Sequence, residues 1–268
     1  MTFVPLKERT PERDIPGLMR AVSWPVITLT RSIQNLVVTG RHNIPNTPAI
    51  YVANHTSHLD GFIVAVALYE AGVAPRFMAK KELFSGPLGG VMRGLGQVQI
   101  DRETPGGAVE QMAAELDRGH SIIIFPEGTF THDPAGWPMR AKTGISRLNE
   151  IRPHIPIIPV SHWGNERIVH QWTGKISWGR ILNRSEDVFL HFGPALTMQG
   201  ETHQERANSV MTIIAQDVAR LRKLLGRPMG EPPEERFVPG KLNHVKRREM
   251  LAEKERKRKL AFPWRREK

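Results

Sequence analysis

Residues 51–62 read YVANHTSHLDGF and place His55, His58 and Asp60 within six positions, directly after an apolar run. An imidazole and a carboxylate this close can work as a base and its orienting partner. The carboxylate accepts a hydrogen bond from one ring nitrogen, fixes the tautomer and leaves the other nitrogen free to take a proton. Five residues along an unbroken helix turn through about 500°, so His55 and Asp60 would diverge by about 140°. They meet only if the helix begins between them, and Thr56 or Ser57 can serve as its N-cap after the strand AIYVA. The same letters fit a second reading. Ser57-His58-Leu59-Asp60 has the form of a capping box, in which Asp60 bonds backward to the backbone and needs no catalytic role. A zinc site is a third reading, but no companion ligands are recognisable.

Three more stretches carry groups with chemistry. SIIIFPEGTF ends a buried apolar run in Pro126-Glu127-Gly128-Thr129, and a carboxylate at the carboxyl end of an α/β strand stands where such sheets bind ligands. Taken alone it is a turn with an acidic residue. In GQVQIDR, Arg102 leaves another strand end; it can hold a phosphate through two bonds or make a surface ion pair. His132-Asp133 is an adjacent pair of the kind a metal-dependent phosphohydrolase uses, without a matching set of further ligands.

The elements that must position these groups follow from the periodicity. AIYVAN, APRFMAK, QVQI, SIIIF, IPIIPVSHW and DVFLHFG read as strands. GFIVAVALYEAG, GPLGGVMRGLG, GGAVEQMAAELDRG (stopped by Gly119) and the stripe from Val210 to Leu225 read as helical. Alternating strands and helices predict an α/β fold: one layered domain with a central mixed sheet flanked by helices. Ahead of it, Met19, Val22, Val26, Leu29, Ile33 and Leu36 recur at helical steps, and Pro25 is expected to kink or split that helix. The stripe can pack on the core or lie in a membrane interface. The expected organisation is an N-terminal segment over 1–45, a catalytic domain over 46–225, a Pro/Gly-rich linker over 226–240 and a basic tail over 241–268.

Composition narrows the setting. With 40% hydrophobic residues the chain can bury a core, and with no cysteine it has neither disulfides nor a thiol nucleophile. The tail holds +8 of the net charge of +11, which points to anionic lipid or nucleic acid, or to a solvated terminus. The charged, Pro-rich start is not a secretory leader, and the N-terminal stripe is uncharged for only the ten residues Ala21–Thr30, against ~20 needed to cross a bilayer.

Four blocks, NHTSHLD, GQVQIDR, FPEGT and IPIIPV, stand in this order across residues 54–160. Together they resemble the 1-acylglycerol-3-phosphate (PlsC-like) glycerolipid acyltransferases, over roughly residues 20–225. The resemblance implies acyl transfer from acyl-CoA or acyl-carrier protein to a lysophospholipid hydroxyl. His55 would be the general base and Asp60 its orienting partner. Arg102, Glu127, Gly128 and Thr129 would belong to the acceptor pocket, and backbone N–H groups near Gly128 or Ser57 would hold the oxyanion. No metal or redox cofactor is implied, and no nucleic-acid partner is expected. Phe130 stands where the family commonly has an arginine thought to help hold phosphate, and Arg140 and Lys142 are the nearby basic replacements in sequence. A membrane-lipid acceptor implies peripheral or monotopic attachment at the cytoplasmic face, with no transmembrane helix.

Overall fold

The strand that leads to His55 is apolar at every position because it lies between two strands and two layers. Ile50–Ala53 pairs in parallel with Ile122–Ile124 on one side and Ile157–Trp163 on the other. Its residues alternate, with Ile50 and Val52 in one core cluster and Tyr51 and Ala53 in the other. Burial on both faces removes the polar alternation of a half-exposed strand.

The structure is a computed structural model that describes residues 15–100, 106–133, 135–170, 173–183 and 187–227, without the side chains of Lys80, Glu82 and Leu83. In chain order the elements are α1 (Gly17–Ile33), β1 (Asn35–Thr39), β2 (Ile50–Ala53), α2 (Asp60–Glu70), β3 (Met78–Lys80), α3 (Gly86–Gly94), β4 (Val98–Ile100), α4 (Gly107–Asp117), β5 (Ile122–Ile124), α5 (Gly144–Ile151), β6 (Ile157–Trp163), α6 (Trp178–Leu182), β7 (Asp187–Phe192) and α7 (His203–Leu224). The main sheet has the order β1-β7-β6-β2-β5, and β3 and β4 form a separate parallel pair. β6 and β7 run antiparallel while the other pairs in the main sheet are parallel, so the sheet is mixed as expected.

Helices cover both faces. α2 packs Ile63, Val64, Ala67 and Leu68 into the cluster that holds Tyr51. α4, α5 and α7 fill the other, where Met112, Leu148, Val210, Ile214 and Val218 meet Ile50 and Ile157. α7 opens on a capping box: Thr202 accepts from the Glu205 N–H, and the Glu205 carboxylate accepts from the Thr202 N–H. Near its end Arg222 is wholly buried, its guanidinium 3.9 Å from the ring centre of Trp137 and 3.7 Å from that of Trp163, while Nη2 donates to the Ala135 carbonyl. Burial lowers the Arg222 pKa to about 10, against the pull of Glu166 and Asp133.

Several expectations need correction. α1 runs unbroken through Pro25. The proline removes the bond to the Ala21 carbonyl, and Ala21 lies on the exposed side where water can replace it. The stripe does not end in this helix: Leu36 belongs to β1, which is the edge of the main sheet against β7. The layered domain therefore starts before residue 46, because β1 is bonded into it. Within α1, Met19 is buried and Val26 and Ile27 pack on the core, whereas Trp24 and Leu29 are exposed. Most of the linker and all of the basic tail lie outside the described residues, as does Arg102. Among the described residues, no helix is long and apolar enough to cross a membrane.

Candidate active site

β2, β5 and β6 are parallel, so their carboxyl ends converge on one edge of the sheet, the edge where open α/β sheets bind ligands. Asn54 follows β2 and extends its pairing with β6 through a side chain. Its Nδ2 donates to the His162 carbonyl at 3.1 Å and its Oδ1 accepts from the His162 N–H at 3.0 Å. That fixed end presents His55. The chain then turns through residues 57–59 before α2 begins at Asp60, with Leu59 at the N-cap. The helix thus starts later than a cap at Thr56 or Ser57 would place it. The turn brings Asp60 back under the loop, and its Oδ2 lies 3.0 Å from His55 Nδ1.

Asp60 is fully buried and does both jobs that its spacing allows. Oδ2 also accepts from the N–H groups of Thr56 (2.5 Å) and Ser57 (2.7 Å), and Oδ1 accepts from Asn165 Nδ2 at 3.0 Å. The backward bonds to the backbone are those of a capping residue, although Asp60 is the first helical residue rather than the third after a Ser57 cap. Burial opposes its charge. The facing His162 and His55 and the Ser57 N–H outweigh that and hold its carboxyl below the ordinary 3.8. An ionised Asp60 can only accept, so Nδ1 of His55 carries a hydrogen and, in the neutral ring, Nε2 is the nitrogen left to take a proton. The imidazole is held face to face by Phe125 (ring centres 4.3 Å apart, planes at 23°) and at a tilt by Phe130 (4.3 Å, 52°). His58 is exposed and meets the edge of Phe130 rather than Asp60.

Glu127 is brought to the same loop through the backbone. One carboxylate oxygen accepts from the His55 N–H at 2.9 Å, the other from the Met139 N–H at 3.0 Å, and the Thr131 N–H returns a bond to the His55 carbonyl at 2.8 Å. Burial pushes its pKa up to about 8 against the pull of those two N–H groups. Gly128 adopts φ +71°, which favours glycine, and a Cβ there would come within 2.7 Å of the movable end of the Lys142 side chain. Lys142 is thereby placed against the FPEGT block. Thr129 is half-buried beside it, while Arg140 is exposed and makes no hydrogen bond to the cluster. Asp133 accepts from the Ala135 N–H at 2.7 Å and shapes a turn. Among the described residues, no group of three or more His, Asp or Glu side chains could hold a metal ion.

Two groups at Asp60 come from the far side of the fold. His162 is fully buried at the end of β6, with Nε2 2.7 Å from the Asn54 carbonyl and Nδ1 3.7 Å from Asp60 Oδ1. Since a carbonyl only accepts, Nε2 carries a hydrogen, and burial lowers the His162 pKa against the pull of Asp60. Asn165 follows in the next turn. The visible signal was the polar run Ser161-His162 inside a strand otherwise apolar up to Trp163. Next to the site, α1, α2 and α3 enclose an apolar groove of about 500 Å³ whose lining includes Met19, Val26, Phe62, Tyr69, Phe77 and Met92. Phe77 stacks on Phe125 at 6.1 Å, and Phe125 stacks on His55, so aromatic rings connect the groove to the base.

The layered sheet holds at its carboxyl edge a His–Asp pair that can act as a general base and its orienting partner. The Acyltransferase family profile matches residues 35–163 of this chain. It is similar to the 1-acyl-sn-glycerol-3-phosphate acyltransferase of Limnanthes douglasii, 34% identical over 42% of this chain and 40% of that one. It is also similar to the lyso-ornithine lipid O-acyltransferase of Pseudomonas aeruginosa, 29% identical over 59% of this chain and 60% of that one. The match thus spans less than two thirds of either relative. The crystal structure of PlsC from Thermotoga maritima shares the fold, with a TM-score of 0.57 at 24% identity, covering 79% of this chain and 84% of that one.

Proposed function

We propose that the chain transfers a fatty acyl group from an acyl thioester to a hydroxyl of a lysophospholipid, with 1-acylglycerol-3-phosphate as the acceptor and phosphatidic acid as the product. The observation that carries this is the Nε2 left to take a proton on a His55 anchored by Asp60, next to an apolar groove with room for a hydrocarbon chain. The acceptor hydroxyl attacks the thioester carbonyl as His55 Nε2 takes its proton, and Asp60 balances the imidazolium that forms. The tetrahedral intermediate then expels the thiolate, which recovers the proton from His55 as a thiol. Such a base is worth roughly 10²–10⁴ in rate. The scheme needs no acyl-enzyme and no metal or redox group.

The oxyanion needs donors. The Ser57 N–H is taken by Asp60 and the Gly128 N–H by the Phe125 carbonyl, so neither donor expected near those residues is free. The N–H groups of Thr129 and Phe130, at the turn beside the His55 ring, are the available ones. Glu127 acts in this reading as a clamp on the His55 loop. Lys142 supplies positive charge for the acceptor phosphate, and Arg140 and Arg102 are the further cations that the sequence motifs offer. A second acceptor reading rests on Phe130: an apolar ring packs against His55 at the sequence position where the family motif commonly continues with an arginine, which favours a head group other than a phosphate monoester.

The test is a panel of lysolipids with acyl-CoA and acyl-carrier protein donors, with products identified by mass spectrometry. We expect thiol release that depends on the lysolipid and resists a chelator. His55→Ala should reduce it by about 10² or more, and His58→Ala by no more than a few-fold. Retention of over about a tenth of the rate in His55→Ala would remove His55 as the base, and loss of activity with chelator would point to metal-dependent hydrolysis instead.

A further inference from the structure

α6 is short, yet its two apolar ends face water. Trp178 is 65% exposed and Leu182 79%, four residues apart and so on one side of the helix. The helix packs beside α1, which exposes Trp24 (75%) and Leu29 (63%), and α1 in turn touches α3, which exposes Leu88 and Val91. The three segments 15–33, 86–95 and 173–183 contain no Asp or Glu at all, in a chain where about one residue in ten is acidic. Arg20, Lys175 and Arg180 stand among the apolar residues instead.

From these placements we propose that α6 is a second membrane foothold, which together with α1 and α3 seats the protein on an anionic bilayer surface. This rests on the reading that the acceptor is a membrane lipid. Apolar side chains mixed with cations and free of anions suit the head-group region of an anionic leaflet: tryptophan favours that depth, leucine enters the acyl boundary, and each cation gains Coulomb attraction. α6 is also tied to the catalytic loop. The segment before it returns along residues 168–177, through the paired Val169 and Ile176 and the Ser177 N–H to Ile168 carbonyl bond at 2.9 Å. Ser57 Oγ donates to the Val169 carbonyl at 2.9 Å, two residues from His55. Docking through α6 therefore holds the His55 loop at the interface, and α1 and α3 bring the groove to the same surface.

The experiment compares the full chain with the double variant Trp178→Ser/Leu182→Ser. Partition onto vesicles of mixed phosphatidylglycerol and phosphatidylcholine is measured by sedimentation and set against pure phosphatidylcholine. The variant should partition about tenfold more weakly or less still, and the deficit should persist at about 0.5 M salt, because apolar insertion is not screened. Turnover of detergent-dispersed acceptor should stay within about twofold of the unsubstituted chain. Partition unchanged within twofold overturns the proposal, as does equal binding of the unsubstituted chain to neutral and anionic vesicles. A self-associated chain that becomes monomeric in the variant also overturns it, since the face would then join copies of the chain. Partition is read without acyl transfer, so failure of the acyltransferase reading would appear separately, as absent turnover in detergent.

Discussion

Asp60 accepts four hydrogen bonds with two oxygens, from Thr56, Ser57, His55 and Asn165, and is therefore both a backbone anchor and the partner of the base. Asp60→Asn separates the two roles. The amide oxygen can keep the Thr56 and Ser57 bonds, and Asn165, whose Oδ1 has no partner, can turn over to accept from the new amide. The charge that balances a protonated His55 is lost. Turnover is expected to fall by about 10² or more while stability changes by at most ~2 kcal/mol, measured as rate and denaturant midpoint on one preparation. A stability loss with catalysis nearly intact would make Asp60 a capping residue only. His55, Asp60, Glu127 and Gly128 were legible because short-range spacing and strand ends mark them. His162 and Asn165 were not, because they reach Asp60 from about a hundred residues away and nothing in the local sequence announces that pairing.

At the scale of elements, Glu127 joins three loops: the end of β5, the start of the turn after β2 and the stretch before α5. Its raised pKa gives this clamp a sign with pH. Between its ordinary 4.5 and about 8, the folded chain keeps a proton that the unfolded chain releases, so the stabilisation is complete at the acid end and is lost as pH rises through about 8. Glu166, pushed by burial to about 7, acts in the same direction, whereas Asp60 loses its contribution only as pH falls through and below 3.8. Below its ordinary 6.5 His162, whose pKa burial lowers, acts in the opposite direction, so melting temperature is expected to fall from about pH 6.5 to pH 8. Glu127→Gln should make that fall shallower and should weaken catalysis by leaving one of two backbone N–H groups facing an amide NH₂. An unchanged slope would show that Glu127 does not govern it. The periodic elements were legible, but α5, α6 and β1 were not. α5 and α6 are too short for a period to emerge, and Leu36 extends the α1 stripe in register although Gln34 has already turned the chain into extended backbone.

For the whole molecule, charge is concentrated outside the described fold, with +8 of +11 in residues 241–268. Removing them should weaken partition onto anionic vesicles steeply at low salt and little at high salt, since the attraction is Coulombic with a screening length of ~8 Å at physiological salt. Turnover in detergent should stay nearly constant. If it is lost, the tail is part of the folded enzyme and the boundary near residue 225 is wrong. The fold class was legible because strand and helix periods alternate. The domain start was not, because β1 is a five-residue edge strand whose partner β7 lies about 150 residues onward.

That separation sets an order of events during synthesis. Asn35 meets Asp187, 152 residues later, and among the described residues no other strand pairs with β1. At about 5–20 residues per second the ribosome takes roughly 8–30 s to deliver the partner. β1 can therefore take its place in the main sheet only after β7 has been made, and for that interval α1 is present without the edge it leads into. An apolar, acid-free helix made ahead of the sheet can meet the membrane before that sheet closes behind it.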